Sequence, residues 1–307
     1  MLAATRRILE RAEQIIPLGA QTFSKSKLYW GENAPLFADR ASGSRLWDVD
    51  GNEYIDFVSG LCAVNLGYGD PDVTAAVQEQ LLKCVSLSLS TALECEVCEL
   101  ICDMVPCAEM VRFGKNGSDA TAGAIRVARA FTKRDHIARC GYHGWQDWCI
   151  ASRNPNGIPQ AVRDLTYTFA YNDLGGLAAQ LECYPCAAVI LEPMAFEWPR
   201  DGFLEAVKAL AHKHGALLIF DETITGFRFA NGGAQELFGV TPDLACFGKG
   251  LANGFPLSAI VGRRDIMKLF AGGIFFSFTA GGEALSLAAA KATLLKLKRE
   301  PVCQRLS

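Results

Sequence analysis

Two carboxylates, Asp221 and Glu222, follow directly on the apolar run Ala216 to Phe220. An unbroken run of this kind reads as a buried strand of a parallel sheet. Ligands of such sheets sit beyond the carboxyl ends of the strands, so both acids are placed for chemistry rather than packing. A second apolar run, Leu244 to Phe247, leads into Gly248-Lys249-Gly250. A lysine in such a loop can lose its proton and attack a carbonyl carbon. Taken alone, Lys249 reads first as a surface lysine in a flexible loop. A third stretch, Gly114-Lys115-Asn116-Gly117-Ser118-Asp119, lies between a short strand and a helix. That geometry leaves backbone N–H groups free for an anion. A fourth, Gly141-Tyr142-His143-Gly144-Trp145, offers an aromatic face and an imidazole.

The elements that must carry these residues alternate between strand and helix. Leu36 to Phe57 reads as short antiparallel strands turning at Asp50-Gly51. Helices are expected from Asp70-Pro71 to Lys83 and from Ala92 to Met104, and a strand over Glu109 to Phe113. The helix after the glycine turn is placed at Ala120 to Phe131. Strands follow at His136 to Cys140, Leu165 to Phe169, Ala187 to Leu191 (ending at Glu192-Pro193) and the run into Asp221. Helices lie between them at Asp173 to Glu182 and Phe203 to His214. After Leu244 to Phe247, Leu257 to Val261 is read as a return along a sheet edge, Arg263 to Phe270 as a helix, and Glu283 to Arg299 as the last helix. This alternation predicts an α/β fold with a mostly parallel central sheet flanked by helices, preceded by a short N-terminal β segment.

Pyridoxal phosphate makes four demands that these stretches meet. It needs a lysine for an imine, here Lys249, and a carboxylate to keep its pyridine nitrogen protonated, here Asp221. Its phosphate needs donors at a helix start, which Gly117, Ser118 and Asp119 can supply. Its ring needs an aromatic cover, for which Tyr142 is available. Nucleotide binding fits less well, because neither GxxxxGK[S/T] nor GxGxxG occurs.

Composition narrows the partners. The 307 residues carry a formal net charge of −3, with 21% charged and 50% hydrophobic residues. Nothing in that balance calls for nucleic acid or an anionic membrane, and no stretch is long and apolar enough to span a bilayer. The first residues mix Arg6, Arg7 and Arg11 with Glu10 and Glu13 and read as an amphipathic surface helix ended by Pro17. Cys95, Cys98, Cys102 and Cys107 read as thiols on a helix rather than a metal site, and Cys183-Tyr184-Pro185-Cys186 precedes a strand instead of opening a redox helix. Twelve cysteines fit a reducing, cytoplasmic setting.

In order along nearly the whole chain, the sequence resembles the class III aminotransferases of fold type I, particularly glutamate-1-semialdehyde aminomutase and its relatives. The likeness runs through Trp47-Asp48-Val49-Asp50-Gly51-Asn52-Glu53-Tyr54, Asn116-Gly117-Ser118-Asp119-Ala120, Tyr142-His143-Gly144, Glu192-Pro193, Asp221-Glu222-Thr223-Ile224-Thr225-Gly226-Phe227-Arg228 and Gly248-Lys249-Gly250. The resemblance implies that Lys249 and Asp221 are catalytic. It also implies that Gly117, Ser118, Asp119, Tyr142, His143, Glu192, Asp221, Thr223, Lys249 and Thr279 bind the cofactor. Thr279 would reach the phosphate bound to the other subunit of a homodimer. Arg228 is open between substrate contact and anchoring of its loop. The implied reaction is a transamination between an amino donor and a carbonyl compound. The alternatives are the intramolecular aminomutase reaction and a truncated, inactive relative acting as a binding partner.

The sequence also departs from the aminomutases. Leu251-Ala252-Asn253-Gly254-Phe255-Pro256 stands where they carry successive glycines, Thr22 to Lys27 where they carry Ser-Pro-Val-Arg, and Gly281-Gly282-Glu283-Ala284-Leu285 where they carry Gly-Asn-Pro-Leu. These differences favour a related transaminase. The expected organisation is an N-terminal segment over 1–60, a cofactor-binding α/β domain over 61–300, and, at 301–307, the stub of a smaller C-terminal domain.

Overall fold

The computed structural model of the protein describes residues 2–306. It divides into two compact units, one formed by the chain up to Leu61 with Leu66–Pro71, the other by Cys62–Asn65 with Asp72 onward.

In the smaller unit, strands β1 (Ala38–Ser42), β2 (Arg45–Asp48) and β3 (Glu53–Ile55) form an antiparallel meander. Its Asp48-to-Tyr54 motif is a self-contained turn. The Asp48 carboxylate accepts from Asp50 N, Asn52 N, Asn52 Nδ2 and Tyr54 OH at 2.8–2.9 Å. Gly51 supplies the left-handed conformation, with φ +85°. Asp50 then accepts from Ala4 N and Thr5 N at 2.6 and 2.9 Å, capping the helix Ala3–Ile15.

The larger unit is built on a seven-stranded sheet. Its members are β4 (Met110–Gly114), β5 (His136–Cys140), β6 (Thr166–Thr168), β7 (Cys186–Leu191), β8 (Leu217–Glu222), β9 (Leu244–Phe247) and β10 (Ser258–Gly262), in the order β4-β10-β9-β8-β7-β5-β6. Neighbours from β9 to β6 are parallel, while β10 is antiparallel to both β9 and β4. The sheet is therefore mostly parallel. β10 is not an edge strand: all five residues are buried and both flanks are paired. An apolar run alone does not say how many neighbours it has.

The helix Gly117–Thr132 crosses the sheet on a face of small residues, Ala120, Ala124 and Ala128, all fully buried. It starts three residues earlier than its apolar spacing predicts. Asn116 Oδ1 accepts from Asp119 N at 3.2 Å, and Asp119 Oδ2 accepts from Asn116 N at 3.0 Å, a reciprocal cap that begins the helix at once. The segment after β10 is two short turns, Arg264–Met267 and Lys268–Ala271, rather than one helix. The core beneath gathers Ile137, Ile190, Ile219, Leu244, Cys246 and Ile260. The helices Ala92–Met104 and Ala284–Arg299 pack together, and the latter also packs on the turn Lys249–Ala252. Among the described residues no helix is long and apolar enough to cross a membrane. The cysteines are free thiols, and among the described residues no group of three or more His, Cys, Asp or Glu could hold a metal ion.

Candidate active site

Parallel pairing sets the carboxyl ends of β5, β7, β8 and β9 side by side, in register from Cys140–Leu191 through Leu191–Phe220 to Asp221–Cys246. The loops leaving those ends carry His143, Glu192, Thr223 and Lys249.

Asp221 and His143 form the centre. His143 Nδ1 lies 2.8 Å from Asp221 Oδ2, and its Nε2 lies 2.9 Å from the Cys140 carbonyl oxygen. Both side chains are almost wholly buried. With oxygen at each ring nitrogen, the imidazole is locked in orientation. Burial works to raise the Asp221 pKa, but the His143 hydrogen bond and charge, with Thr223, outweigh it and hold the carboxyl below its ordinary range. The Thr223 backbone N–H donates to Asp221 Oδ1 at 3.0 Å. Asp221 is thus a buried anion with its orientation fixed on both oxygens.

Glu192 behaves in the opposite way. Burial first, then the neighbouring Asp221 carboxylate, push it up to about 7, against the opposing charges of His143 and Lys249. Two nearby acids with different protonation are a common acid–base arrangement. The thiols nearby are not nucleophiles at neutral pH, since burial pushes Cys140 up to about 11 and Cys246 well above its usual range.

Lys249 opens its turn with φ +31°, a left-handed conformation unusual for a residue with a side chain. The preceding Gly248 touches Thr223, whose Cγ2 lies 3.2 Å from where a Gly248 Cβ would stand; Thr223 lies closer still to Gly117, where a Cβ would be 2.9 Å from the same atom. Thr223 therefore joins the lysine turn to the helix start. Ser118 is buried there, its Oγ accepting from Trp145 N at 3.2 Å. Tyr142 is half-exposed beside this group, with the Arg153 guanidinium 5.9 Å over its ring.

The expectations for Glu222 and Asp119 change. Glu222 is not at the site. Adjacent residues of a strand face opposite ways, and Glu222 turns into the protein, fully buried. It accepts from Thr225 Oγ1, Ala234 N, Gln235 N and Gln235 Nε2 at 2.6–3.2 Å. Asp119 is engaged by its cap, taking Lys115 N at 2.9 Å as well as Asn116 N, while its own N–H goes back to Asn116. It leaves Gly117 and Ser118 as the donors of the helix start. Thr279 is exposed in a loop, lining a cavity with Ser88, Arg112 and Glu283 that contains neither Asp221 nor Lys249. Arg228 is an anchor: Nε donates to Ile224 O at 3.2 Å, and Nη2 to Cys62 O at 2.7 Å and Asn65 Oδ1 at 2.5 Å. Sequence reading missed Asn65 altogether. Its signal, a buried amide ahead of a glycine-rich turn, has no local pattern.

Comparison with known proteins follows the same lines. Residues 29–307 match the family model of the class III aminotransferases. The chain is 39% identical over 310 residues to a 3-aminobutyryl-CoA aminotransferase of Cloacimonas acidaminovorans, covering 98% of this chain and 74% of that protein. It is 40% identical over 319 residues to a glutamate-1-semialdehyde 2,1-aminomutase of Syntrophobacter fumaroxidans, covering 97% and 73%. In structure it matches the PLP internal aldimine form of the FumI protein of Sphingopyxis sp. MTA144 with a TM-score of 0.91 at 32% identity, over 97% of this chain and 73% of that one.

Proposed function

The chain belongs to the class III aminotransferase family, and we propose that it is a pyridoxal-phosphate-dependent transaminase acting between a separate amino donor and a carbonyl acceptor. The observation that carries this reading is the convergence of a buried anion (Asp221), a neighbouring acid (Glu192) and a lysine (Lys249) at adjacent strand ends beside a helix start.

The residues present fit the cofactor. The first N–H groups of a helix have no acceptor within it, which leaves those of Gly117 and Ser118 for a phosphate. The Thr223 hydroxyl beside them is buried without a hydrogen-bond partner. Asp221 would hold the ring nitrogen, Tyr142 would cover the ring, His143 would fix Asp221 in place, and Glu192 would border the pocket. When bound, pyridoxal phosphate supplies an aldehyde carbon that condenses with amines and a protonated ring that withdraws electrons.

The protein's part in catalysis then follows. Lys249 Nζ would hold the cofactor through its aldehyde carbon, and an incoming amine would take its place there. Its free amine would be the base that takes the proton from the carbon bearing the amino group and, once protonated, the acid that gives it back. Asp221 keeps its charge throughout because His143 and the Thr223 N–H stabilise the anion. Leu251 and Ala252, buried after Lys249, fill the turn with side chains where the aminomutases have glycines; this supports transfer between molecules over transfer within one. Thr279 is exposed on its loop, and by the resemblance to the class III aminotransferases it would reach the cofactor phosphate of a second copy in a homodimer.

The test is the visible spectrum of the cofactor-supplied protein beside its Lys249→Ala variant, followed by addition of amino donors without acceptor. A lysine-dependent band that a donor abolishes, with one carbonyl product released per site, is expected. A folded protein with no lysine-dependent band would sink the enzyme reading. A band with isomerised product and no released carbonyl would replace the transaminase by the aminomutase.

A further inference from the structure

Lys249 holds a strained backbone, and such conformations persist only where the surroundings over-determine them. The surroundings here are specific. The segment Cys62–Asn65 lies along the Lys249 turn and touches both of its ends. At the near end, a Cβ on Gly250 would stand 2.4 Å from Asn65 Nδ2; at the far end, a Cβ on Gly254 would stand 3.1 Å from Val64 Cγ1. Asn65 is itself fixed. Its Nδ2 donates to Phe227 O at 2.8 Å, and its Oδ1 accepts from Arg228, which also ties down Cys62 O. Phe227, like Lys249, is a non-glycine residue with positive φ, at +58°. It lies in the loop that follows Asp221 along the chain. A single buried amide therefore joins the loop after β8, which carries the carboxylate, to the turn after β9, which carries the lysine.

We propose that Asn65, held by Arg228, is a positioning residue for Lys249, fixing where its amine stands relative to the cofactor-binding groups. This rests on the assignment of Lys249 as the covalent cofactor lysine. The amide is suited to the task. One side donates to a carbonyl and the other accepts from a guanidinium, so the side chain cannot flip without losing both bonds. Its flat face lies where Gly250 lacks a side chain, so the lysine turn seats against it with no adjustable atoms between.

The experiment uses the full chain supplied with pyridoxal phosphate. Wild type, Gly250→Ala, Asn65→Ala, the double variant Asn65→Ala/Gly250→Ala and Asn65→Asp are compared. Three readouts are taken: borohydride trapping of cofactor on Lys249 with peptide mapping, the pH dependence of the lysine-dependent absorbance band, and single-turnover decay of that band with an amino donor. Thermal melting reports folding separately. Because displacing a catalytic group by about 1 Å is worth roughly 100-fold in rate, Gly250→Ala is expected to slow single turnover by about that factor and to shift the pH midpoint of the band. The double variant, which removes the amide that the new methyl would strike, is expected to recover roughly tenfold or more. Asn65→Asp, which keeps the acceptor for Arg228 but loses the donor to Phe227, is expected to shift the pH midpoint while still trapping on Lys249. If wild type traps on Lys249 and every variant matches its midpoint and rate, or the double variant is no faster than Gly250→Ala, the positioning role is wrong while the cofactor assignment stands. If wild type does not trap on Lys249, the cofactor assignment fails and the proposal falls with it.

Discussion

Replacing Glu192 by Gln tests the electrostatics of the site without reference to turnover. Burial and the Asp221 charge raise the Glu192 pKa from 4.5 to about 7 in the folded protein. The folded state therefore holds this proton more tightly than the unfolded chain. The stabilisation is complete below the unfolded value and is lost as pH rises through about 7. At about 1.4 kcal/mol per pH unit, the interval between the two values corresponds to roughly 3 kcal/mol. Glutamine has no charge to acquire, so Glu192→Gln loses none of it. The variant should match wild type near pH 4 and exceed it by about 3 kcal/mol at about pH 8, with most of the difference developing between the two values. Urea unfolding of the cofactor-free proteins, followed by tryptophan fluorescence across that range, measures the difference. Asp221 and His143 are common to both proteins and cancel. A difference below about 0.5 kcal/mol at about pH 8, or a variant that loses stability relative to wild type as pH rises, would refute the placement of Glu192 as a desolvated acid beside Asp221.

Two other perturbations separate site from scaffold. Glu222→Ala removes the acceptor for four buried donors and should destabilise the fold by at least about 3 kcal/mol in denaturant titration, since each buried donor left unsatisfied costs roughly 1–3 kcal/mol; an effect under about 1 kcal/mol would mean that Glu222 is not an anchor. Gly144 has φ +117°, and a Cβ there would stand 2.3 Å from Ser118 Oγ. Gly144→Ala should push on the helix start and weaken cofactor binding at least about tenfold, or about 1.4 kcal/mol, in a fluorescence titration with pyridoxal phosphate; unchanged affinity would detach Ser118 from the phosphate site.

Much of this architecture is local and was legible as such. Ala187 to Leu191 and Leu244 to Phe247 are unbroken apolar runs, and β7 and β9 lie there with every residue buried. The helix Ala92–Met104 has the expected bounds. The resemblance that points to the class III aminotransferases is likewise a property of sequence, because its motifs are short and their order is fixed.

What lay beyond the sequence is long-range or depends on which way a side chain faces. The residues Asp221 and Glu222 look alike in a string, yet strand alternation sends one to His143 and the other to Ala234 and Gln235. Asp119 stands in the string as one more donor at the helix start, yet the cap of its own helix takes both its carboxylate and its N–H. An apolar run carries no count of its neighbours, so Leu257 to Val261 reads as an edge, and only the sheet order β4-β10-β9 places β10 inside. Asn65 meets Arg228 across 163 residues, and His143 meets Asp221 across 78. Sequence alone determined which strands form and which residue types stand at their ends, because burial and capping act over a few residues. Tertiary structure decided which of those ends are neighbours and which charges share a desolvated space, because the fields that set their protonation extend through space rather than along the chain.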